Sequence, residues 1–192
     1  MVRLFDILWE TKGAGPSPAN NKRTELYFAG CNRAMEGNPC PNCFNPLLWD
    51  RSKCYPLNEQ DIIDELNERN IPKYITIVGG EPTDQKEGLI KLGKLLKQNG
   101  YHTILFTWHD EKWFIANFGM HNAKLFNVIV TGSYLEQERI YDTSKDDGIH
   151  NVIGSGNQEI WQPQKDVRVK AGKVSKLILH PNNELEVILN ND

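Results

Sequence analysis

The chain has 192 residues and a formal charge of −3, from 22 basic and 25 acidic side chains with no run of like sign. That length suits one domain burying roughly 70% of its unfolded surface, and the lack of a basic stripe argues against a nucleic-acid partner. No apolar run reaches the roughly 18 residues of a membrane span. Met1-Val-Arg-Leu-Phe-Asp6 also lacks a signal-peptide pattern, so a cytoplasmic protein with no membrane partner is expected.

Apolar stretches rich in β-branched and aromatic residues alternate with segments of helical period, the pattern of β-α units around a mostly parallel sheet. Residues 10–23 read as loop by composition. A strand is predicted over 24–29, directly before Cys31, Cys40 and Cys43. Residues 58–69 predict a helix with Asn58 as cap, acids in the first turn, and Ile62, Ile63 and Leu66 on one face. A strand over 73–78 leads into Gly79-Gly80-Glu81-Pro82. The helix predicted over 86–98, with Leu89, Ile90, Leu92, Leu95 and Leu96, stops at Gly100. Strands over 102–107 and 125–130 flank a weaker helix over 110–118. Residues 141–159 show little periodicity, and a loop of that length in a compact domain is more often functional than idle. Residues 176–189 predict a hairpin around Pro181-Asn-Asn183. The expected organisation is a single domain, 1–192, with a core of about 5–161 and a C-terminal extension over 162–192.

Three of the four cysteines lie within the thirteen residues from Cys31 to Cys43. Thiols stay reduced in the cytoplasm, which favours a metal over a disulfide. Three cysteines complete neither a four-cysteine zinc site nor an ordinary four-cysteine iron-sulfur site. A cluster with one open iron and a structural zinc site closed by Cys54 or a histidine are both compatible with the spacing. Glycines at 79 and 80, at the end of a strand, let a ligand approach the backbone, where polar groups can take an ammonium. His102, His109, His121, His150 and His180 have no metal spacing and read as surface or locally bonded. Glu111, Asp146 and Asp147 read as solvated, Cys54 as a free thiol, and Trp108, Trp113 and Trp161 as packing or interface aromatics. The Gly154-Ser-Gly-Asn157 stretch lacks the lysine and spacing of a P-loop.

A three-cysteine loop after one strand and Gly79-Gly80-Glu81-Pro82 after the next resemble the radical S-adenosylmethionine superfamily. A narrower resemblance, over about residues 5–161, is to the activating enzymes of the anaerobic (class III) ribonucleoside-triphosphate reductase. It is carried by Gly15-Pro16, Phe28-Ala-Gly-Cys31, Cys40-Pro-Asn-Cys43-Phe-Asn45 with Trp49, Leu105-Phe-Thr-Trp108, Phe126-Asn-Val-Ile-Val-Thr-Gly132 and Gly154-Ser-Gly-Asn-Gln158. The resemblance implies an incomplete parallel β/α barrel of partial TIM type, a 4Fe-4S cluster held by Cys31, Cys40 and Cys43, and S-adenosylmethionine on the open iron. It further implies cofactor contacts from Asn42, Phe44, Gly79, Gly80, Glu81, Thr107 and Gly132. Reductive cleavage of S-adenosylmethionine would then give a 5′-deoxyadenosyl radical that abstracts hydrogen from a glycine of the large reductase subunit, with flavodoxin or ferredoxin as electron donor. Two departures stand out: eight residues separate Cys31 from Cys40, a five-residue insertion relative to that family, and Thr131 stands where an aspartate is common. Small-molecule radical enzymes such as the 7-carboxy-7-deazaguanine synthases share Phe28-Ala-Gly-Cys-Asn32 and Gly79-Gly-Glu-Pro82. A non-catalytic zinc-binding adaptor is the alternative from another class.

Overall fold

The computed structural model describes residues 1–191. Its centre is an eight-stranded sheet built from β1 (Val2–Lys12), β2 (Lys22–Phe28), β3 (Pro56–Leu57), β4 (Tyr74–Gly79), β5 (His102–Phe106), β6 (Val128–Thr131), β7 (Glu159–Gln162) and β8 (Val167–Lys170), in the order β3-β1-β2-β4-β5-β6-β7-β8. The four central strands, β2, β4, β5 and β6, run parallel, whereas β3, β1, β7 and β8 join antiparallel. The expected parallel core is therefore present within a mixed sheet. The four strands β1, β3, β7 and β8 lie outside the predicted strands, and β1 takes up residues 10–12 of the stretch expected to be loop.

The helices α1 (Asn32–Met35), α2 (Glu59–Glu68), α3 (Lys86–Gln98) and α4 (Glu111–Ala123) connect the parallel strands. Asn58 caps α2 by accepting from Gln60 N, as its sequence predicts. Asp110 caps α4 in the same way through Trp113 N. Gly119 has φ 77° and ψ 150°, so the regular part of α4 ends at Phe118 and a further turn follows. One face of the sheet packs Leu26, Phe28, Ile75, Ile77, Leu105 and Ile129 against Ile62, Ile63, Leu66, Leu89, Leu92 and Phe114 of the helices. Glu59, fully buried beneath them, is ion-paired with Lys91 at 2.8 Å.

The hairpin of β9 (Val174–Leu179) and β10 (Leu185–Leu189) forms as expected, as a separate two-stranded sheet. It covers the other sheet face, packing Val174, Leu177, Leu179 and Leu185 with Ile104, Val128, Val130 and Ile160. Polar groups share that face. Arg23, 1% exposed, donates to Thr76 Oγ1 (2.8 Å), Pro16 O (3.0 Å), Ile75 O (2.6 Å) and His102 O (3.0 Å), and its Nη2 lies 3.3 Å from His102 Nδ1. Burial lowers the Arg23 pKa to about 9 and that of His102 to about 3, so His102 is neutral and accepts at Nδ1. His102 and His109 are thus buried rather than superficial. Two carboxylates read as solvated are also engaged: Glu111 in a bidentate pair with Arg168, and Asp147 with His150 at 2.7 Å. Among the described residues no helix is long and apolar enough to cross a membrane.

Candidate functional site

At the C-terminal ends of the parallel strands, where such sheets place their sites, the chain ties three segments together by backbone hydrogen bonds. The segment after the cysteine loop returns onto its start, with Gly30 N donating to Leu48 O (2.6 Å) and Cys31 N to Trp49 O (3.0 Å). On the other side Gly80 N donates to Phe28 O (2.8 Å) and Glu81 N to Gly30 O (2.7 Å). Cys31 is thereby fixed between the two. The glycines make this possible. A Cβ on Gly79 would lie 2.2 Å from Phe28 O, and one on Gly80 2.2 Å from Gly30 O. The two glycines therefore seat the cysteine-bearing strand, a role the sequence reading had given to ligand approach alone.

Glu81 is the second tie. Its carboxylate, 1% exposed, accepts from Thr83 N (3.0 Å), Thr83 Oγ1 (2.7 Å) and Trp108 N (3.0 Å), joining the end of β4 to the end of β5. Burial outweighs these bonds and raises its pKa to about 7. Gly132 N donates to His109 O (2.9 Å) and completes the row of strand ends.

These ends surround a cavity of about 320 Å³. It is lined by Cys31, Cys40, Cys43, Phe44, Gly79, Gly80, Glu81, Thr107 and Gly132. Asn42 is exposed, has φ 53°, and lies outside the lining. Cys54 is also outside it, and its carbonyl accepts from Arg3. Phe44 packs on Tyr134 (4.8 Å) and Tyr141 (5.5 Å), so the 133–158 segment closes over the cysteine loop. Gly154 and Gln158 of that segment line the cavity, and Gln158 Nε2 donates to Gly132 O (3.1 Å).

Burial raises the Cys31 thiol to about pH 11 and shifts Cys40 upward as well, the Arg33 cation opposing the latter. Ligation of a metal there would release these protons. Arg33 Nη1 points to Cys40 Sγ (3.4 Å) and Trp49 Nε1 to Cys43 Sγ (3.5 Å). Among the described residues no three Cys, His, Asp or Glu side chains converge to coordinating distance. The donor set is nevertheless suited to an iron-sulfur group: three free thiols on one cavity, two of them approached by N–H donors, with no fourth cysteine lining it.

Sequence reasoning missed the polar part of the cavity. Glu25, Tyr27 and Thr76 line it from β2 and β4, and Tyr141 and Asn151 from the 133–158 segment. Burial raises the Glu25 carboxyl, which bonds to Tyr27. The available signal was the alternation Arg23, Glu25, Tyr27 on β2, opposite in phase to Leu26 and Phe28.

In comparisons with known proteins, a stretch of 91 residues is 33% identical to the pyruvate formate-lyase-activating enzyme of Clostridium pasteurianum, covering 44% of this chain and 36% of that protein. The chain thus spans about a third of the length of this relative. The relative supports the likeness to the radical S-adenosylmethionine superfamily. The family described as the 4Fe-4S single cluster domain matches residues 12–161, most of the chain, which therefore belongs to that family.

Proposed function

We propose that this protein is an iron-sulfur, S-adenosylmethionine-dependent activating enzyme for a glycyl-radical enzyme, with the large subunit of the anaerobic ribonucleoside-triphosphate reductase as target. The observation that carries the reading is the gathering of Cys31, Cys40, Cys43 and the Gly79–Glu81 turn on one cavity at the ends of parallel strands. The family match and the activating-enzyme relative support the iron-sulfur and activase parts. The reductase as target rests on the resemblance of Gly154-Ser-Gly-Asn-Gln158, of which Gly154 and Gln158 line the cavity.

In this reading the four parallel strands are the surviving part of an incomplete β/α barrel, and Cys31, Cys40 and Cys43 hold the cluster. When bound, the cluster and S-adenosylmethionine supply the electron and the hydrogen-abstracting radical. The chain's own groups bind, orient and exclude water. The amides of Gly80 and Glu81 are already engaged, so the turn meets an ammonium through acceptor groups. Phe44 lines the cofactor, Thr107 and Gly132 bound it from the later strands, and Tyr134 and Tyr141 roof it. Asn42, outside the lining, reaches the cofactor only if its loop tightens on binding. A cytoplasmic flavodoxin or ferredoxin is the proposed electron donor.

One observation favours a second reading. The half-enclosed floor with Glu25, Tyr27 and Asn151 suits a small molecule bearing N–H donors, as in enzymes resembling the 7-carboxy-7-deazaguanine synthases. A single experiment separates the two. Reduced, reconstituted enzyme with S-adenosylmethionine and the large reductase should produce a glycyl-radical doublet in electron paramagnetic resonance. No doublet, with 5′-deoxyadenosine release accelerated by a pterin-like small molecule, assigns the second reading instead.

A further inference from the structure

The eight residues between Cys31 and Cys40 do not hang as a free loop. Met35 N donates to Cys31 O (2.9 Å), Gly37 N to Ala34 O (3.0 Å) and Asn38 N to Arg33 O (3.0 Å), which folds them into α1 and a compact turn. The Arg33 side chain closes the turn from the other side. Its Nε donates to Asn38 O (2.9 Å), and its Nη1 reaches both Ser133 Oγ (3.1 Å) and Cys40 Sγ (3.4 Å). The guanidinium also lies over the Trp108 ring, 4.8 Å from its centroid. Among the described residues no carboxylate is ion-paired with Arg33, although Glu36 and Asp84 border the same groove.

We infer that the residues between Cys31 and Cys40 fold so as to bring Arg33 to Cys40, making Arg33 a positioning residue that both fixes the loop and holds a cationic N–H donor on a cluster sulfur. A lengthened loop carries only a small closure cost. It still leaves Cys40 free to wander unless something binds its far end. The planar fork of arginine does so with several donors in fixed directions, and lysine cannot reproduce that set. The uncompensated charge has a second consequence. A donor and a positive charge beside a cluster sulfur stabilise the reduced, more negative state, which raises the reduction potential. The inference about the potential rests on the proposed cluster, while the inference about the loop does not.

The test therefore has one readout without metal and one with it. In the metal-free chain, Arg33→Met should speed hydrogen exchange at the amides of Gly37 and Asn38 by about tenfold, the effect of losing roughly 1.4 kcal/mol of local protection. Ser133→Ala should give a smaller acceleration at the same amides. In reconstituted protein, Arg33→Met should lower the midpoint potential of the cluster, read by electron paramagnetic resonance during a redox titration. Arg33→Lys should restore the potential toward wild type while leaving the loop amides fast. Wild-type exchange at Gly37 and Asn38 in Arg33→Met overturns the clamp, and a wild-type potential in that variant overturns the electrostatic part. If the wild-type chain takes up no iron at all, the cluster reading fails, and the exchange result alone then decides whether Arg33 orders the loop.

Discussion

Gly80→Ala tests the claim that the glycine pair holds the cysteine loop. Gly80 is not in the left-handed region, so an alanine there pays no backbone penalty and its cost comes from contact alone. The added Cβ would stand 2.2 Å from Gly30 O, 2.6 Å from Gly30 C and 3.0 Å from Leu48 O, all of them backbone atoms. Relief requires the two segments to part by roughly 1 Å to reach ordinary contact. That shift breaks or strains the Gly80–Phe28 and Glu81–Gly30 hydrogen bonds, now 2.8 and 2.7 Å. Losing two such bonds with their groups still buried costs about 3–5 kcal/mol. In urea denaturation of the metal-free chain, Gly80→Ala should lose about that much stability. Iron content after anaerobic reconstitution should fall with it, because Gly30 immediately precedes Cys31. Gly37→Ala is the control: its Cβ meets nothing within 4 Å, and only the positive φ of 84° opposes it, costing about 1 kcal/mol. If Gly80→Ala keeps wild-type stability and full iron content while S-adenosylmethionine affinity alone drops, the glycines serve the ligand and the steric argument is wrong.

Replacing Cys31, Cys40 or Cys43 by Ala should abolish iron uptake, whereas Cys54→Ala should retain about four irons per chain by colorimetric assay; equal loss in all four would restore the four-cysteine zinc or closed-cluster alternative. The His102 pKa of about 3 sets an acid limb, because below about pH 6.5 the unfolded chain binds a proton that the folded chain refuses, and stability falls by up to about 1.4 kcal/mol per pH unit. Glu81 acts oppositely: its folded pKa of about 7 gives stability that is full below about pH 4.5 and lost as pH rises through 7. Between pH 7 and 5 the two oppose each other, so the urea midpoint of His102→Gln should rise relative to wild type as the pH is lowered, and an unchanged pH profile removes His102 from the acid limb. Glu25→Gln should leave fold, iron content and S-adenosylmethionine cleavage without substrate unaltered but raise the KM of a substrate that places N–H donors on the cavity floor; wild-type KM excludes Glu25 from that contact.

Much of this architecture could be read from sequence because it is locally encoded. α2 and α3 carry both the apolar period and their end signals, so Asn58 and Gly100 mark boundaries found within a residue or two. Of the parallel strands, β4, β5 and β6 are largely apolar runs, as burial on both faces requires, whereas β2 alternates. β1 is different: beyond Leu4 it alternates exposed and half-buried residues, with Phe5 and Leu8 outside, and its pairing with β2 is interrupted by register shifts. β7 and β8 are four residues each, too short for period to separate them from loop.

The candidate site divides along the same line. Three cysteines in a short span mark a candidate metal site from residue type and spacing, and they line one cavity. Glu25 and Arg23 do not, because a polar residue on a strand takes its meaning from what covers that face. One side of β2 faces helices that any β-α pattern predicts. The other faces the Gly15-Pro16 turn at Arg23 and, at Glu25, a cavity closed by a segment more than 100 positions later in sequence. Only with that cover in place does Arg23 become a buried cation bonded to three carbonyls, a hydroxyl and a neutral histidine, and Glu25 a carboxyl facing a cavity. The glycine pair shows the same dependence at shorter range. Gly79 and Gly80 look like room for a ligand until Phe28 O and Gly30 O are seen to occupy that room. A small residue at a strand end announces a close approach, and its partner is settled by the neighbouring strand in the sheet order, here β2 beside β4.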